Sequence, residues 1–295
     1  MRIGVLDIGG TAIKSGVWNG ESMMELREQD THASKGGAFL MEYVKRILED
    51  MGRLDAVGIS TAGQVDAGTG RICYANENIP GYTGTEVREI LEEAFRLPVA
   101  VENDVHAAAL GEMHFGAARE LSDFLCLTYG TGVGGAIVMD GRIYAGADHA
   151  AGSFGGIVTH PEQWTPEDPS GGCYERYAST GALVRMAMTA DPGLDNGRKI
   201  FEASERRQIR QIIDNWIDEI TIGLVTLVHV FNPADVLLGG GVLEQPGVLE
   251  KIRRRCRMRL TPNMHRVRFR RMDLGNRAGL MGAAWLAEEK LKKEG

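Results

Sequence analysis

Asp104 is the residue best placed to do chemistry in this chain: it closes the run Leu97-Pro98-Val99-Ala100-Val101-Glu102-Asn103-Asp104 and opens onto Val105-His106-Ala107-Ala108-Ala109-Leu110-Gly111-Glu112. An apolar run that ends in polar residues before a small-residue run predicts a buried strand feeding a helix. Asn and Asp at that junction suit a helix N-cap, because a short side-chain oxygen accepts an orphan N–H of the first turn. A carboxylate there also reaches a bound substrate, since ligand crevices of open α/β sheets form at strand ends. Cap and general base are the two readings of Asp104, and the rest of the chain decides between them.

Phosphate-binding chemistry is suggested at two other places. Residues 3–6 form a short apolar strand, and Asp7-Ile8-Gly9-Gly10-Thr11 leads into a second strand-like run with Lys14, residues 12–18. A Walker loop would need a helix after the glycines, so this turn is of another kind. Its glycines let backbone N–H groups approach a phosphate, Thr11 adds a hydroxyl, and Asp7 offers a carboxylate to a hydrated magnesium ion. A plain hairpin explains the same residues. The pattern then recurs: residues 124–128 lead into Tyr129-Gly130-Thr131-Gly132-Val133-Gly134-Gly135 and the apolar run 136–139. A unit repeated in each half predicts two related lobes, each presenting a glycine hairpin to a shared cleft. Gly239-Gly240-Gly241, after the strand-like run 236–238, would let a flat base or sugar lie against the backbone.

The elements that must position these residues follow from periodicity. Residues 39–48 have helical spacing, and 56–60 form the next strand, ending at Thr61-Ala62-Gly63. Asn76-Glu77-Asn78-Ile79-Pro80-Gly81-Tyr82 reads as a loop whose amide and ring could hold a flat polar ligand, or as simple turn chemistry. Residues 146–156 are too glycine-rich for regular structure and predict an ordered loop, and 165–172 an exposed turn. One helix is expected from Cys173 through Met186, and a long one over 209–231 with an apolar stripe from Ile212 to Val228. The arginine-rich stretch 253–271 predicts a solvated helix face followed by an edge strand guarded by charge. Residues 278–285 begin a close-packing helix, and 288–295 a charged, fraying end.

Composition narrows the function classes. At 295 residues the chain is near the size at which one core gives way to two, and we expect an N-terminal lobe over 1–115, with the helix 280–295 packing back on it, and a C-terminal lobe over 116–279. A net charge of −7 argues against nucleic acid as the main partner. The four cysteines show no close pairing, which suits a reducing compartment, and there is no bilayer-length apolar run. A cytoplasmic protein with no membrane or nucleic-acid partner is expected.

Together these residues resemble the ROK family of sugar kinases and sugar-responsive repressors, within the hexokinase, actin and Hsp70-like fold group. The likeness covers nearly the whole chain and rests on Leu6-Asp7-Ile8-Gly9-Gly10-Thr11 with Lys14, Asn78-Ile79-Pro80-Gly81-Tyr82, Val101-Glu102-Asn103-Asp104, Gly130-Thr131-Gly132-Val133-Gly134-Gly135, Asn232-Pro233 before Leu238-Gly239-Gly240-Gly241, and Ala278-Gly279-Leu280-Met281-Gly282-Ala283-Ala284. The resemblance implies an α/β, two-lobed ribonuclease-H-like or actin-like ATPase fold with a cleft between lobes. It makes Asp104 the general base. The nucleotide site falls to Asp7, Gly9, Gly10, Thr11, Lys14, Gly130, Thr131, Gly132, Gly134 and Gly239 to Gly241. Asn78, Asn103 and Glu175 become sugar contacts, joined on the sugar side by Gly63 and Ser153.

The chain departs from the family at one place. Many members carry Gly-Glu-x-Gly-His, then Cys-x-Cys-Gly-x-x-Gly-Cys-x-Glu, with the His and three cysteines holding zinc. Here Ser153 stands at the Glu position and Gly156 at the His position, Pro166 and Asp168 replace the first two cysteines, and Cys173 and Glu175 remain. One thiolate falls short of four zinc ligands even with His149 or His160 at hand, so zinc is not expected. The family's β-glucoside kinases also lack the full motif, which brings the chain nearer them. Its repressors carry a helix-turn-helix domain ahead of the first glycine loop; here that loop starts at Asp7 and no such domain is expected.

The resemblance therefore implies an ATP- and magnesium-dependent, glucokinase-like sugar kinase, a homodimer acting on the 6-hydroxyl of a hexose or glycoside. The alternatives are a non-catalytic sugar or nucleotide sensor of the same fold whose sugar loop has drifted at Ser153 and Gly156, and a kinase of a non-sugar alcohol or acid.

Overall fold

The computed structural model describes residues 1–294. In chain order the first part contains β1 (Ile3–Ile8), β2 (Ala12–Trp18), β3 (Met23–Asp30), α1 (Gly36–Asp50), β4 (Ala56–Thr61), β5 (Gln64–Asp66), β6 (Arg71–Tyr74), α2 (Val87–Phe95), β7 (Val99–Asn103) and α3 (Asp104–Phe115). There follow β8 (Phe124–Tyr129), β9 (Val133–Met139), β10 (Arg142–Ile143), α4 (Glu175–Ala178), α5 (Thr180–Ala190), α6 (Gly197–Glu202), α7 (Arg207–Phe231), β11 (Asp235–Gly239), α8 (Val248–Arg259), β12 (Arg268–Arg271) and α9 (Ala278–Glu294).

Two compact units result. The first holds Met1–Glu120, Ala145–Ala151 and the chain from Arg277 on; the second holds Leu121–Tyr144 and Gly152–Asn276. The first boundary thus lies a few residues past 115, because Glu112 accepts the Ala117 N–H at 2.7 Å and Phe115 packs edge-on against Trp18. Residues 145–151 join the first unit through the Ala151 carbonyl, which faces His106 Nε2 at 3.3 Å, and His149, which lies 3.7 Å from Asp66.

In the first unit the sheet order is β3-β2-β1-β4-β7, with β1 antiparallel to β2 and parallel to β4, and β4 parallel to β7. The parallel strands are buried on both faces and accordingly read as nearly unbroken apolar runs. One face is covered by α1 and α2 through Leu40, Val44, Leu48, Val87 and Leu91. The other is covered by α9, which packs closely along α3 because both present small residues. A side chain added at Gly111 would meet the Ala278 carbonyl, and one at Gly282 the Ala107 carbonyl.

The second unit repeats the scheme in the order β10-β9-β8-β11-β12, with β8 antiparallel to β9 and parallel to β11. Helix α7 packs its stripe of Ile213, Trp216, Ile220, Leu224 and Leu227 inward.

Several elements differ from expectation. Charged β3 carries little apolar periodicity, α2 is amphipathic but spans only nine residues, and β5, β6, β10 and α6 are too short for periodicity to mark them. The helix expected from Cys173 to Met186 breaks at Ser179, whose extended backbone lets its hydroxyl cap α5 through the Ala182 N–H at 3.0 Å. The supposed fraying end is helical to Glu294: Glu288 accepts the Trp18 indole N–H at 2.8 Å and pairs with Lys292 at 3.0 Å. Gly295 lies outside the described residues. Strand β12 is the expected edge strand, and all four cysteines are free.

Candidate active site

Asp104 and Asn103 divide the two roles that the sequence left open. Asn103 is the N-cap of α3: its Oδ1 accepts the N–H groups of Val105 at 3.0 Å and His106 at 3.1 Å. Its amide donates to the Gly63 carbonyl and to Asp104 Oδ1, both at 2.8 Å. Both amide hydrogens are thereby engaged inside the first unit, where they tie Asn103 to Gly63 and to its neighbour Asp104. Asp104 is left half-buried at the first turn, with Oδ1 also accepting the Val105 N–H at 2.9 Å.

Strand register gathers the other acid. In the parallel ladder Asp7 pairs with Ser60, and Thr61 with Asn103, which brings the carboxyl ends of β1, β4 and β7 level. Ser60 donates to Asp7 Oδ1 at 2.6 Å. The turn into α9 closes over this pair so tightly that a side chain at Gly279 would come within 2.8 Å of Asp7 Oδ1 and 2.9 Å of Ser60 Oγ.

Electrostatics sets the two carboxyls apart from surface acids. Burial, reinforced by the nearby charge of Asp7, pushes Asp104 up to about 6 against the opposing Val105 N–H, Asn103 amide and His106 charge. Burial likewise raises Asp7, while the Ser60 hydroxyl and the Lys14 charge pull it down. Burial disfavours a charge on His106. The hydrogen bond and charge of Glu102, with Nδ1 3.2 Å from Oε1, together with the Ala151 carbonyl and Asp104, outweigh that and raise it. A carboxyl near pH 6 is ionised at neutral pH yet basic enough to take a proton from a hydroxyl.

The glycine turn of this unit is open. Gly9 N–H bonds the Ala12 carbonyl at 3.0 Å, the Thr31 hydroxyl holds the Gly9 carbonyl at 2.7 Å, and Gly10 and Thr11 are exposed at the tip. On the sugar side Asn78 is exposed in its loop, but the Tyr82 ring is not available to a ligand. It is fully buried, its hydroxyl lies 3.0 Å from Thr61 Oγ1, and burial raises it to about 12. An aromatic ring beside Pro-Gly was read as ligand-facing because sequence does not show which way a loop side chain turns.

The second unit has its own constellation. Its glycine turn, Gly130 to Gly132, lies against the start of α5, where the Gly181 N–H reaches the Gly130 carbonyl at 3.2 Å and the Thr180 hydroxyl the Tyr129 carbonyl at 2.9 Å. Gly240, at φ +112°, packs on the Tyr129 backbone, leaving no space for a Cβ. Glu175 Oε2 lies 3.3 Å from the Val133 N–H and against Gly132 and Gly155, and Ser153 is exposed beside the Phe154–Gly156 turn. Beneath them Tyr129 and Tyr174 share a buried hydroxyl contact of 2.9 Å.

Sequence reasoning missed Ser60, Glu102, His106, Thr180 and Gly181. Glu102 and His106, four apart across a strand-to-helix junction, were visible in principle. Thr180 and Gly181 were hidden by reading one helix through Ser179. Asp7 and Asp104 could hold magnesium, which takes one or two carboxylates and keeps several waters. No group of three or more His, Cys, Asp or Glu side chains converges as a metal site among the described residues.

Comparison with known proteins matches this geometry to one group. A sequence profile of the ROK family matches residues 3–290. A β-glucoside kinase from Listeria innocua is 30% identical, with 97% of each chain covered. The ROK hexokinase from Thermus thermophilus superposes with a TM-score of 0.81 at 34% identity, over 99% of this chain and 100% of that one. A ROK family glucokinase from Streptomyces griseus, solved with glucose and AMPPNP, gives 0.85 at 30% identity, over 98% and 100%. Along essentially its whole length, this chain belongs to the ROK family and has the actin-like ATPase fold of its relatives.

Proposed function

We propose that this protein is an ATP-dependent sugar kinase that transfers the γ-phosphoryl group to a hydroxyl of a hexose or glycoside, the 6-hydroxyl by preference. The observation that carries the reading is Asp104: a carboxyl at the junction of β7 and α3, with Asn103 as the N-cap, raised to about 6 by burial and by Asp7. The relatives support the substrate class, since one is a β-glucoside kinase and another a glucokinase bound to glucose and AMPPNP.

Ionised Asp104 accepts the proton of the sugar hydroxyl as its oxygen bonds the γ-phosphorus. The bond from that phosphorus to the bridging oxygen breaks, ADP departs, and Asp104 releases the proton to solvent. General-base help of this kind is worth about 10²–10⁴ in rate. The glycine turns offer the backbone N–H groups of Gly10 and Thr11, and of Thr131 and Gly132, to the phosphates, and the N-terminus of α5 adds a favourable dipole. Magnesium, when bound, neutralises and orients the phosphates; Asp7, fixed by Ser60, would hold it through water. Asn78, Ser153 and Glu175 are the sugar contacts in this reading, with Ser153 in place of an acid the source of altered sugar preference.

ADP release with magnesium-ATP across glucose, mannose, N-acetylmannosamine, N-acetylglucosamine, allose, fructose and cellobiose tests the proposal, with Asp104→Asn as blank. A sugar-dependent signal lost in the variant supports it. ATP binding with silence across the panel sinks it and leaves a sensor.

A further inference from the structure

We propose that the arginine-lined groove between α8 and β12 in the second unit is a separate ligand site, one that takes a small anion carrying two or more phosphoryl groups. The groove has a volume of about 560 Å³, and its charged lining is Arg253, Arg254, Arg257, Arg268 and Arg270 with His265, against one acid, Glu250. That volume is in the range of small-molecule sites. Every permanent cation in it is arginine, whose planar fork pairs bidentately with phosphate oxygens.

The guanidinium groups are not equivalent, and their differences make a built site. Arg268 and Arg270 are anchored from below by Asp235, which is only 1% exposed, at 2.6 and 2.8 Å. Arg253 donates its Nε to the Phe269 carbonyl at 2.9 Å, with only a loose 3.5 Å contact to the largely exposed Glu250. Arg254 and Arg257 have no ion-pair partner among the described residues and are exposed. On the opposite side of α8 the arrangement reverses: Arg255 pairs with Asp214 at 3.0 Å and Asp218 at 3.1 Å, and Arg259 with Asp218 at 2.8 Å. Acids of α7 thus neutralise the inward arginines, whereas among the described residues no acid pairs with the outward Arg254 and Arg257.

Guarding the edge of β12 explains Arg268 and Arg270. It does not explain Arg254 and Arg257, which stand on a helix and converge on the same groove. One phosphoryl group offers oxygens to about two guanidinium forks, so the three forks of Arg253, Arg254 and Arg257, with Arg268 and Arg270 already held by Asp235, call for at least two such groups. A duplex nucleic acid is disfavoured by the net charge of −7, which repels an extended polyanion while leaving a local patch attractive at short range.

The test uses the full-length protein at near-physiological salt, with inorganic tripolyphosphate and fructose 1,6-bisphosphate as inorganic and organic probes and inorganic phosphate as control. Because tripolyphosphate also competes for a nucleotide site, arginine modification by phenylglyoxal with peptide mapping supplies a site-resolved readout. At least one of the two probes should shield Arg254 and Arg257 at a concentration where inorganic phosphate does not, and which one does so identifies the source. Calorimetry should show that affinity falls at least tenfold in R254A/R257A and is partly kept in R254K/R257K, with the basal kinase constants unchanged in both. Failure of both probes to shield, equal shielding by inorganic phosphate, unchanged affinity in the alanine variant, or tighter binding of a short DNA duplex would each overturn the assignment. Unchanged basal turnover keeps this outcome distinct from any failure of the kinase reading.

Discussion

In the first unit the parallel strands β1, β4 and β7 carry Asp7, Ser60 and Asn103 followed by Asp104 near their ends. In the second, the matching β8, β11 and β12 carry Thr128, Gly239 and Arg271. Strand order and direction are the same, and each sheet opens with a glycine hairpin, yet one set of ends bears carboxylates and the other backbone and glycine. The acid that the second unit does bury, Asp235, sits at the start of its strand and is held by two arginines. Asp104 instead has its proton affinity raised by burial and by the neighbouring charge of Asp7, and Asp7 has its own raised by burial. A buried acid matched by cations is structural, whereas Asp104, whose charge is disfavoured both by desolvation and by the nearby Asp7, sits in an arrangement that suits proton transfer.

The comparison breaks most visibly at Asp104. Asp104→Asn should lower kcat by about 10²–10⁴ or more with ATP still bound, measured by ADP release; near-wild-type turnover would erase the distinction between the units. The next largest effect belongs to the second unit. Gly240→Ala forces a side chain onto φ +112° and into the Tyr129 backbone. With a strain of about 1–3 kcal/mol, the KM for ATP should rise about tenfold while the sugar KM is unmoved.

The pH profile separates the units more finely. Because Asp104 must be ionised to accept a proton, kcat/KM should be flat above about 6 and fall about tenfold per unit below it. A profile flat down to pH 4.5 would exclude this carboxyl as the base. The smallest effect is on stability. A carboxyl whose folded value is about 6 against an ordinary 3.8 ionises more readily when unfolded. Its penalty is absent below about pH 4, grows between 4 and 6, and is complete above 6, reaching at most about 3 kcal/mol. Asp104→Asn should therefore melt a few degrees above wild type at pH 7.5 and level with it at pH 4, an inactive protein that is the more stable one.

The fold and its family were legible because they rest on local signals: apolar runs of strand length, glycine turns that require open backbone, and small residues where helices touch. Asp7, Asp104 and both glycine hairpins could be found from residue type and spacing alone. The identity of the cap could not, since Asn103 and Asp104 both have a side-chain oxygen able to cap there, and only the Asn103 Oδ1 contacts to the Val105 and His106 N–H groups assign it. Nor could the meeting of Asp7 with Asp104, the hydroxyl of Ser60, the break at Ser179, or the inward turn of Tyr82 be read along the chain. Each depends on strand register or side-chain direction, which are properties of packed neighbours distant in sequence. Sequence determined which groups could do the chemistry, while tertiary structure decided which of them are desolvated together, because burial and repulsion exist only once the strands stand side by side.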